Sequence, residues 1–294
     1  MFDWDDIRIF ITAARAGSLS LAGQRLGIDA ATVGRRLARL ETALKATLVV
    51  RSPSGLTLTA AGSQLLETTH AAEMAMETAA SAVRLDPISG TVRISAAEGF
   101  GGVVLAPALP QLLSQYPGLN VELAATSGFL SPSRREVDMA ITLSPVPSPR
   151  LIVEPLTSYQ LCLYAAPDHP AAQLSSLSLD DLDQFDLVGY IDDLIYAPEL
   201  NYIDEIRPNL RQKLSISSIH AQRNVIASGG GIGIIPCFMA QGLVRLLPNQ
   251  ILIQRNFWLH SHRDIHNTTR MKTVRRWLKS VTKLNQSELS PFQA

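Results

Sequence analysis

Cysteine is almost missing from this chain. Only Cys162 and Cys237 occur, far apart and without a Cys-x-x-Cys spacing, which excludes a zinc cluster or a disulfide framework as the device that organises the fold. Net charge is missing too: Lys+Arg 26 against Asp+Glu 26 leaves zero, so any nucleic-acid surface must be a local patch. Long unbroken apolar runs are absent. The uncharged stretch from Gly99 to Val121 is cut by Pro107, Pro110 and Pro117, and the stretch from Asn224 to Val244 holds five glycines and Pro236. Neither reads as an apolar helix of roughly 20 residues. The start, Met-Phe-Asp-Trp-Asp-Asp, is acidic where a signal peptide needs positive charge, so the chain is expected in the cytoplasm.

Several chemistries lack their motifs. There is no GxxxxGK[ST] and no GxSxG. Gly99-Phe-Gly101-Gly102 and Gly231-Ile-Gly233 each lack the third glycine of a dinucleotide fingerprint, because Val104 and Pro236 follow. His260, His262 and His266 have ligand-like spacing but no acidic or cysteine partners, and read as exposed histidines near a strand end. Cys237, in an apolar run, reads as a buried small residue. No metal, no cofactor and no catalytic residues are expected.

What is present is apolar material for sizeable cores, 46% of 294 residues, with charge distributed unevenly. Residues 1–58 carry Arg8, Arg15, Arg25, Arg35, Arg36, Arg39, Lys45 and Arg51 against Asp3, Asp5, Asp6, Asp29 and Glu41, a local excess of three positive charges. A basic minidomain on a neutral chain points to a nucleic-acid-binding head, or more plainly to a solvated helix face. Ile7, Phe10, Ile11 and Ala14 form one helical stripe between Trp4 and Ala16. Gly17 stops that helix, Ser18 or Ser20 caps a second running to Leu26, and Asp29 caps a third carrying Val33, Leu37, Leu40 and Leu44. The opposite face of the third shows Ala30, Ala31, Gly34, Arg35 and, to the side, Arg39. Small residues beside arginines let a backbone approach a DNA groove while long side chains reach phosphates or guanine edges. Thr47 to Thr59 alternates around Ser-Pro-Ser-Gly as a hairpin. Three short helices and a basic wing make a winged helix-turn-helix, or a three-helix core without DNA function.

The residues Phe10…Ala13-Ala14…Gly17-Ser18-Leu19-Ser20…Ala22…Leu26…Ala31-Thr32-Val33-Gly34-Arg35-Arg36-Leu37…Leu40-Glu41…Leu48…Arg51…Leu58-Thr59-Ala60-Ala61-Gly62 resemble the LysR-type transcriptional regulators, in order and without gaps. The Ala-Thr-Val-x-Arg-Arg variant is similar to one subgroup. Gly34 stands where that family usually has serine, Ala30-Ala31 where it more often has a polar residue and proline, Lys45 where it has glycine, and Val49 where it has phenylalanine. On this basis Ser18, Ser20, Ala30, Ala31, Thr32, Gly34, Arg35, Arg36, Arg39 and Arg51 are the expected DNA-binding residues.

Residues 59–89 follow. Leu65, Thr69, Ala72, Met76, Ala79 and Val83 recur at alternating spacings of four and three, a coiled-coil seam or a helix packed on its own domain. The resemblance implies a dimerising linker helix, hence a homodimer or homotetramer through this helix and the effector domain. Asp86-Pro87-Ile88-Ser89-Gly90 ends it, giving 1–58 as head, 59–89 as linker and 90–294 as the remainder.

From residue 90 strands alternate with helices: strands at 91–95, 119–125, 137–142, 151–164 and 187–191, helices at 103–116 and 220–228, and a basic last helix with Arg270, Lys272, Arg275, Arg276, Lys279 and Lys283 on a solvated face. Such alternation argues for α/β lobes with largely parallel sheets. Ser95-Ala96-Ala97-Glu98-Gly99-Phe100-Gly101, Arg134 to Ile141, and Gly231 to Phe238 resemble the same family's two-lobed effector domain, related to periplasmic binding proteins. Ligands of open α/β sheets sit beyond the carboxyl ends of strands. Ala97, Glu98, Gly99 and Phe100 open the helix after the first strand, Ser127 and Ser144 follow the second and third, and across the cleft Tyr190 ends a strand while Ser218 caps the helix carrying Gln222. These nine are the expected effector-binding residues. Glu98 opposes a simple carboxylate ligand; it favours a cationic or hydroxyl-rich effector, or caps the helix. The function expected is a sequence-specific DNA-binding regulator answering to a small-molecule effector. The alternative is an enzyme or solute-binding protein that uses the lobes alone.

Overall fold

Three side chains set the helix starts at the amino end. Asp3 accepts a hydrogen bond from Asp5 N at 3.0 Å, Ser18 from Leu21 N at 3.4 Å and Asp29 from Thr32 N at 2.8 Å, so one first-turn N–H each of α1 (Trp4–Ala16), α2 (Leu19–Leu26) and α3 (Ala30–Leu44) is satisfied by a side chain. Gly17 and Gly27 end the first two in the left-handed region, and Lys45 ends the third there at φ +53. In this computed structural model, residues 3–52, 55–82, 88–128, 130–134, 136–208 and 210–292 are described. Contacts divide the chain into two compact units, residues 1–85 with 134–136, and residues 86–133 with 137–294.

In the first unit Ile7, Phe10, Val33, Leu37, Leu40 and Leu48 are buried together. Strands β1 (Val49–Ser52) and β2 (Gly55–Leu58) form an antiparallel wing, whose tip, Pro53-Ser54, lies outside the described residues. Glu41 receives Leu48 N at 2.7 Å and Val49 N at 3.2 Å, which ties α3 to the wing. Thr59 accepts from Gly62 N at 3.0 Å and so starts α4 (Ala60–Ala82). Along the seam of α4, Thr69 is buried, Leu65 and Ala72 are half-buried and Met76 is exposed. The side chain of Ala79, the whole of Val83 and the expected linker end at Asp86-Pro87 lie outside the described residues.

The second unit has a nine-stranded sheet. Strands β3 (Gly90–Ala97), β4 (Leu119–Thr126) and β5 (Met139–Thr142) are mutually parallel, in the order β4-β3-β5. At the other end β7 (Leu187–Gly189) pairs parallel with β8 (Leu214–Ser215) and with β9 (Ile232–Pro236). The expectation of largely parallel sheets holds for these outer strands and fails in the middle. There the long strands β6 (Leu151–Ala165) and β11 (Ile253–His262) run antiparallel to one another, with β10 (Val244–Leu246) beside β6. The reason is connectivity. β11 pairs with β5 at one end while β6 pairs with β9 at the other, so this antiparallel pair passes through both lobes.

The helical layer also differs from the sequence reading. The first helix of the unit begins at Glu98, as the expected opening at Ala97 to Phe100 requires and ahead of the stretch 103–116, and runs through a π turn at Gly101–Leu105 to Gln115. Gly101 makes this close start possible, because a Cβ there would lie 2.6 Å from that of Ala125. The last long helix, Thr269–Leu284, was expected to expose all its basic residues. Instead Arg270 is buried and donates to Ser89 O at 3.0 Å, while Arg275 reaches Glu154 at 3.5 Å.

The candidate DNA interface and effector cavity

Arg35 sits on the exposed side of α3. Its guanidinium donates to Thr32 Oγ1 at 2.8 Å, and Thr32 Oγ1 donates to Asp29 Oδ2 at 2.7 Å. This chain holds Arg35 along the outer face of the helix. Asp29 is the N-cap, and its bonds to Thr32 push its carboxyl below the usual range, so it stays ionised beside the positive end of the helix. Arg51, on the wing, donates to Gly34 O at 3.4 Å across the same face. Ala31 and Ser20 are exposed, Ala30, Thr32 and Gly34 half-exposed, and Ser18 is taken up as the cap of α2.

Arg36 and Arg39 point elsewhere. Arg39 grips Asp6 with two bonds of 2.6 Å, and Arg36 meets Asp6 at 2.7 Å and also bonds Asp5. Asp6 is fully buried. Burial pushes its carboxyl up, yet the two guanidiniums outweigh it and hold it below the ordinary value of about 3.8. The acidic opening of the chain is therefore the counter-charge of α3, and two of its basic residues are spent on fixing α1 against it. No spacing rule signals this pairing, since the partners lie about thirty residues apart.

The second unit encloses a cavity of about 30 Å³ at the carboxyl ends of its parallel strands. Ala97, Glu98, Gly99 and Phe100 line it, with Ser127 after β4 and Tyr190 after β7. Glu98 is the hub. Its carboxylate accepts from Ser127 Oγ at 3.1 Å, from Ser218 Oγ at 2.8 Å and from Ile219 N at 3.2 Å. Ser218 also caps the helix Ile219–Ala227. One carboxylate from the β3 lobe thus closes the amino end of a helix in the other lobe. Gly99 packs beside the same helix, where a Cβ would lie 3.3 Å from Ile219 Cγ2 and would displace the flexible Met239 side chain.

Three expected residues stand apart from the cavity wall: Ser218, which reaches it only through its bond to Glu98, Ser144 and Gln222. Gln222 is buried and donates to Ile216 O at 2.8 Å, and the carbonyl of Ser144 accepts from Thr142 Oγ1 at 2.7 Å. Conversely, much of the wall escaped the sequence reading. Tyr159 on β6 stacks on Phe257 of β11 with centroids 4.2 Å apart, and Phe257 lies 4.3 Å from Phe100. Tyr196, Tyr202 and Phe238 complete the aromatic lining. Phe238 belonged to a quoted motif; the others carried no local signal, because Tyr159 and Phe257 meet through the pairing of β6 with β11 and Tyr196 and Tyr202 come from the irregular segment after β7.

The three histidines are not exposed, contrary to the expectation from their place near a strand end, because each is drawn in by a partner. His260 is buried and bonds Thr142 at 2.7 Å, His262 caps the short helix Arg263–His266, and His266 bonds Ser261 at 2.7 Å. Among the described residues no group of metal-ligating side chains is gathered. Cys237 is half-exposed, not buried, and its sulfur lies 3.8 Å from that of Cys162. Among the described residues no helix is long and apolar enough to cross a membrane.

A winged helix-turn-helix with an outward arginine, joined to a two-lobed α/β unit with a cavity, defines a ligand-responsive DNA-binding regulator. The family descriptions agree. Residues 4–63 match the bacterial regulatory helix-turn-helix protein, lysR family, and residues 86–283 match the LysR substrate binding domain. The chain belongs to the LysR family of transcriptional regulators, which are not enzymes. It is 25% identical over 288 residues to the Mau operon transcriptional activator of Paracoccus denitrificans, covering 94% of this chain and 95% of that one. It is 28% identical over 271 residues to a probable RuBisCO transcriptional regulator of Cyanidioschyzon merolae, covering 86% and 88%. Its fold is similar to that of a full-length single-residue variant of OxyR from Pseudomonas aeruginosa, with a TM-score of 0.68 at 18% identity over 97% of this chain and 98% of that one. The protein is a DNA-binding transcriptional regulator whose activity is modulated by a bound small molecule.

Proposed function

We propose that this regulator reads its DNA site chiefly through Arg35, with Ser20, Ala30, Ala31, Thr32 and Gly34 forming the close-approach surface and Arg51 meeting the backbone from the wing. The observation that carries this reading is the Asp29–Thr32–Arg35 chain, which orders a long cation on the exposed helix face before DNA arrives. Arg36 and Arg39 support the interface from behind by locking α1 to α3, a reading supported by their bonds to Asp6. The Ala-Thr-Val-x-Arg-Arg segment supports assigning the protein to the corresponding subgroup. The head is residues 1–58, the linker 59–89 and the effector domain 90–294. It works in the cytoplasm as a homodimer or homotetramer, without catalytic activity, metal or cofactor. The exposed Met76 on α4 supports pairing through the linker.

The effector site is the cavity at Ala97, Glu98, Gly99, Phe100, Ser127, Tyr190 and Ser218. A ligand there shifts the balance between lobe arrangements and so the population of DNA-binding forms. The test of the interface is retention of genomic fragments on the purified protein, followed by Arg35→Ala. Loss of a bidentate guanine contact, worth about 1–3 kcal/mol, lowers specific affinity by about 5- to 150-fold and leaves random duplex little changed. Equal binding of both duplexes by wild type and variant would overturn the recognition-helix reading.

A further inference from the structure

The walls of the effector cavity have a charge pattern of their own. Among the described lining residues Glu98 carries the only formal charge, and no lysine, arginine or histidine faces the space. Four tyrosines and three phenylalanines line the same cavity, and the charge of Glu98 is felt by Tyr190 and Tyr196. Burial, followed by the charge of Glu98, pushes the Tyr196 phenol up to about 12, so that ring stays neutral at any working pH. Burial likewise raises Tyr159, Tyr190 and Tyr202. Neutral aromatic faces are negative at their centres and attract cations, most strongly where water is excluded. The lining therefore offers one carboxylate and neutral aromatic faces, and the cation acting on it, Arg255, bonds Glu205 outside the lining.

The position an anionic ligand would use is already filled. The free N–H groups at the start of the helix Ile219–Ala227 suit an anion, and the Glu98 carboxylate occupies them through Ile219 N and Ser218 Oγ. An incoming carboxylate would have to displace a tethered one and then lie beside it. An incoming cation would instead take Glu98 as its counter-ion. A cavity of about 30 Å³ holds only a water or two, so any larger ligand enters by parting the lobes. The bonds it must loosen are those Glu98 makes across them.

We propose that the effector is an organic cation, an ammonium group on an aromatic or aliphatic body, bound with its charge at Glu98 and its body against the tyrosines. Binding draws Glu98 away from Ser218 and Ile219, so the residue that recognises the ligand is also the latch that the ligand opens. This inference rests on the cavity being the effector site.

The probes are phenethylammonium, phenylacetate and 2-phenylethanol, which share a ring and differ in charge, titrated calorimetrically into the full-length protein. Phenethylammonium is expected to bind at least tenfold more tightly than the other two. Glu98→Gln is expected to weaken it at least tenfold while changing the alcohol by less than threefold. Should Glu98→Gln fail to fold, Tyr196→Leu, at a half-buried wall position, is expected to weaken the ammonium selectively by at least threefold. Tighter binding of phenylacetate or the alcohol overturns the cation assignment while keeping the cavity as effector site. Ammonium binding untouched by both substitutions overturns the cation assignment and moves the effector elsewhere. No binding by any of the three overturns the cation assignment, and the cavity then stands or falls by whether other metabolites stabilise the protein.

Discussion

Gly34 and Gly62 are both helical glycines in the head, and their surroundings require opposite outcomes on substitution. A Cβ at Gly62 would lie 2.0 Å from Leu48 O, so the start of α4 can touch the wing only because position 62 has no side chain. Gly62→Ala should destabilise the head by about 1–3 kcal/mol, the usual cost of overpacking. At Gly34 the nearest atoms to a Cβ are the Arg51 guanidinium and Leu19 Cδ1 at 3.6 Å, an ordinary contact. Gly34→Ala should therefore stabilise α3 by about 0.5–1 kcal/mol, as alanine does inside helices. Denaturant unfolding of the two variants measures both signs. The sequence alone marked these glycines, one as part of the family pattern and one as a departure from it. It carried no information on which had room, because the neighbours come from other elements, Arg51 and Leu19 for Gly34 and Leu48 and Leu58 for Gly62.

At the scale of elements, helix starts, glycine stops and the wing were legible because each depends on a few neighbouring residues. Side-chain partners between elements were not. The tie between α1 and α3 is the clearest example, and it has a pH signature. Asp6 has a folded-state pKa below its ordinary value of about 3.8. Its contribution is therefore complete above that value and disappears as pH falls through the lower folded-state pKa. Asp6→Asn should lose about 1–3 kcal/mol of head stability at pH 7, and the gap to wild type should shrink once pH falls below about 3.8. Denaturation series at pH 7 and pH 3 measure this; a gap that stays constant would mean the ion pairs are idle. The basic face of Thr269–Leu284 teaches the same lesson. Arg270 and Arg275 looked solvated by helical spacing, yet Ser89 and Glu154, remote in sequence, draw them inward.

For the whole molecule, pairing two heads adds two weak half-site contacts on one DNA. Met76, exposed on α4, is the position where a charge should do most harm to such pairing and least to the head itself. Met76→Glu should shift the protein from dimer or larger towards monomer in sedimentation at micromolar concentration, with its melting temperature nearly unchanged. A wild type that is already monomeric there would defeat the linker reading.

Periodicity, caps and turn residues by themselves determined the three-helix head, the wing, the long α4 and the α/β character of the rest, since these follow from the order of neighbouring residues. The family pattern then led to Glu98 and its neighbours. Tertiary structure alone decided that β6 and β11 run antiparallel through both lobes, that Asp6 absorbs two of the head's arginines, and that Tyr159, Tyr196, Tyr202 and Phe257 line one cavity with a single carboxylate. The physical reason is distance along the chain. Local preferences act over a few residues, whereas tertiary packing brings together groups tens to more than a hundred residues apart, and this cavity is lined by residues drawn from Ala97 to Phe257.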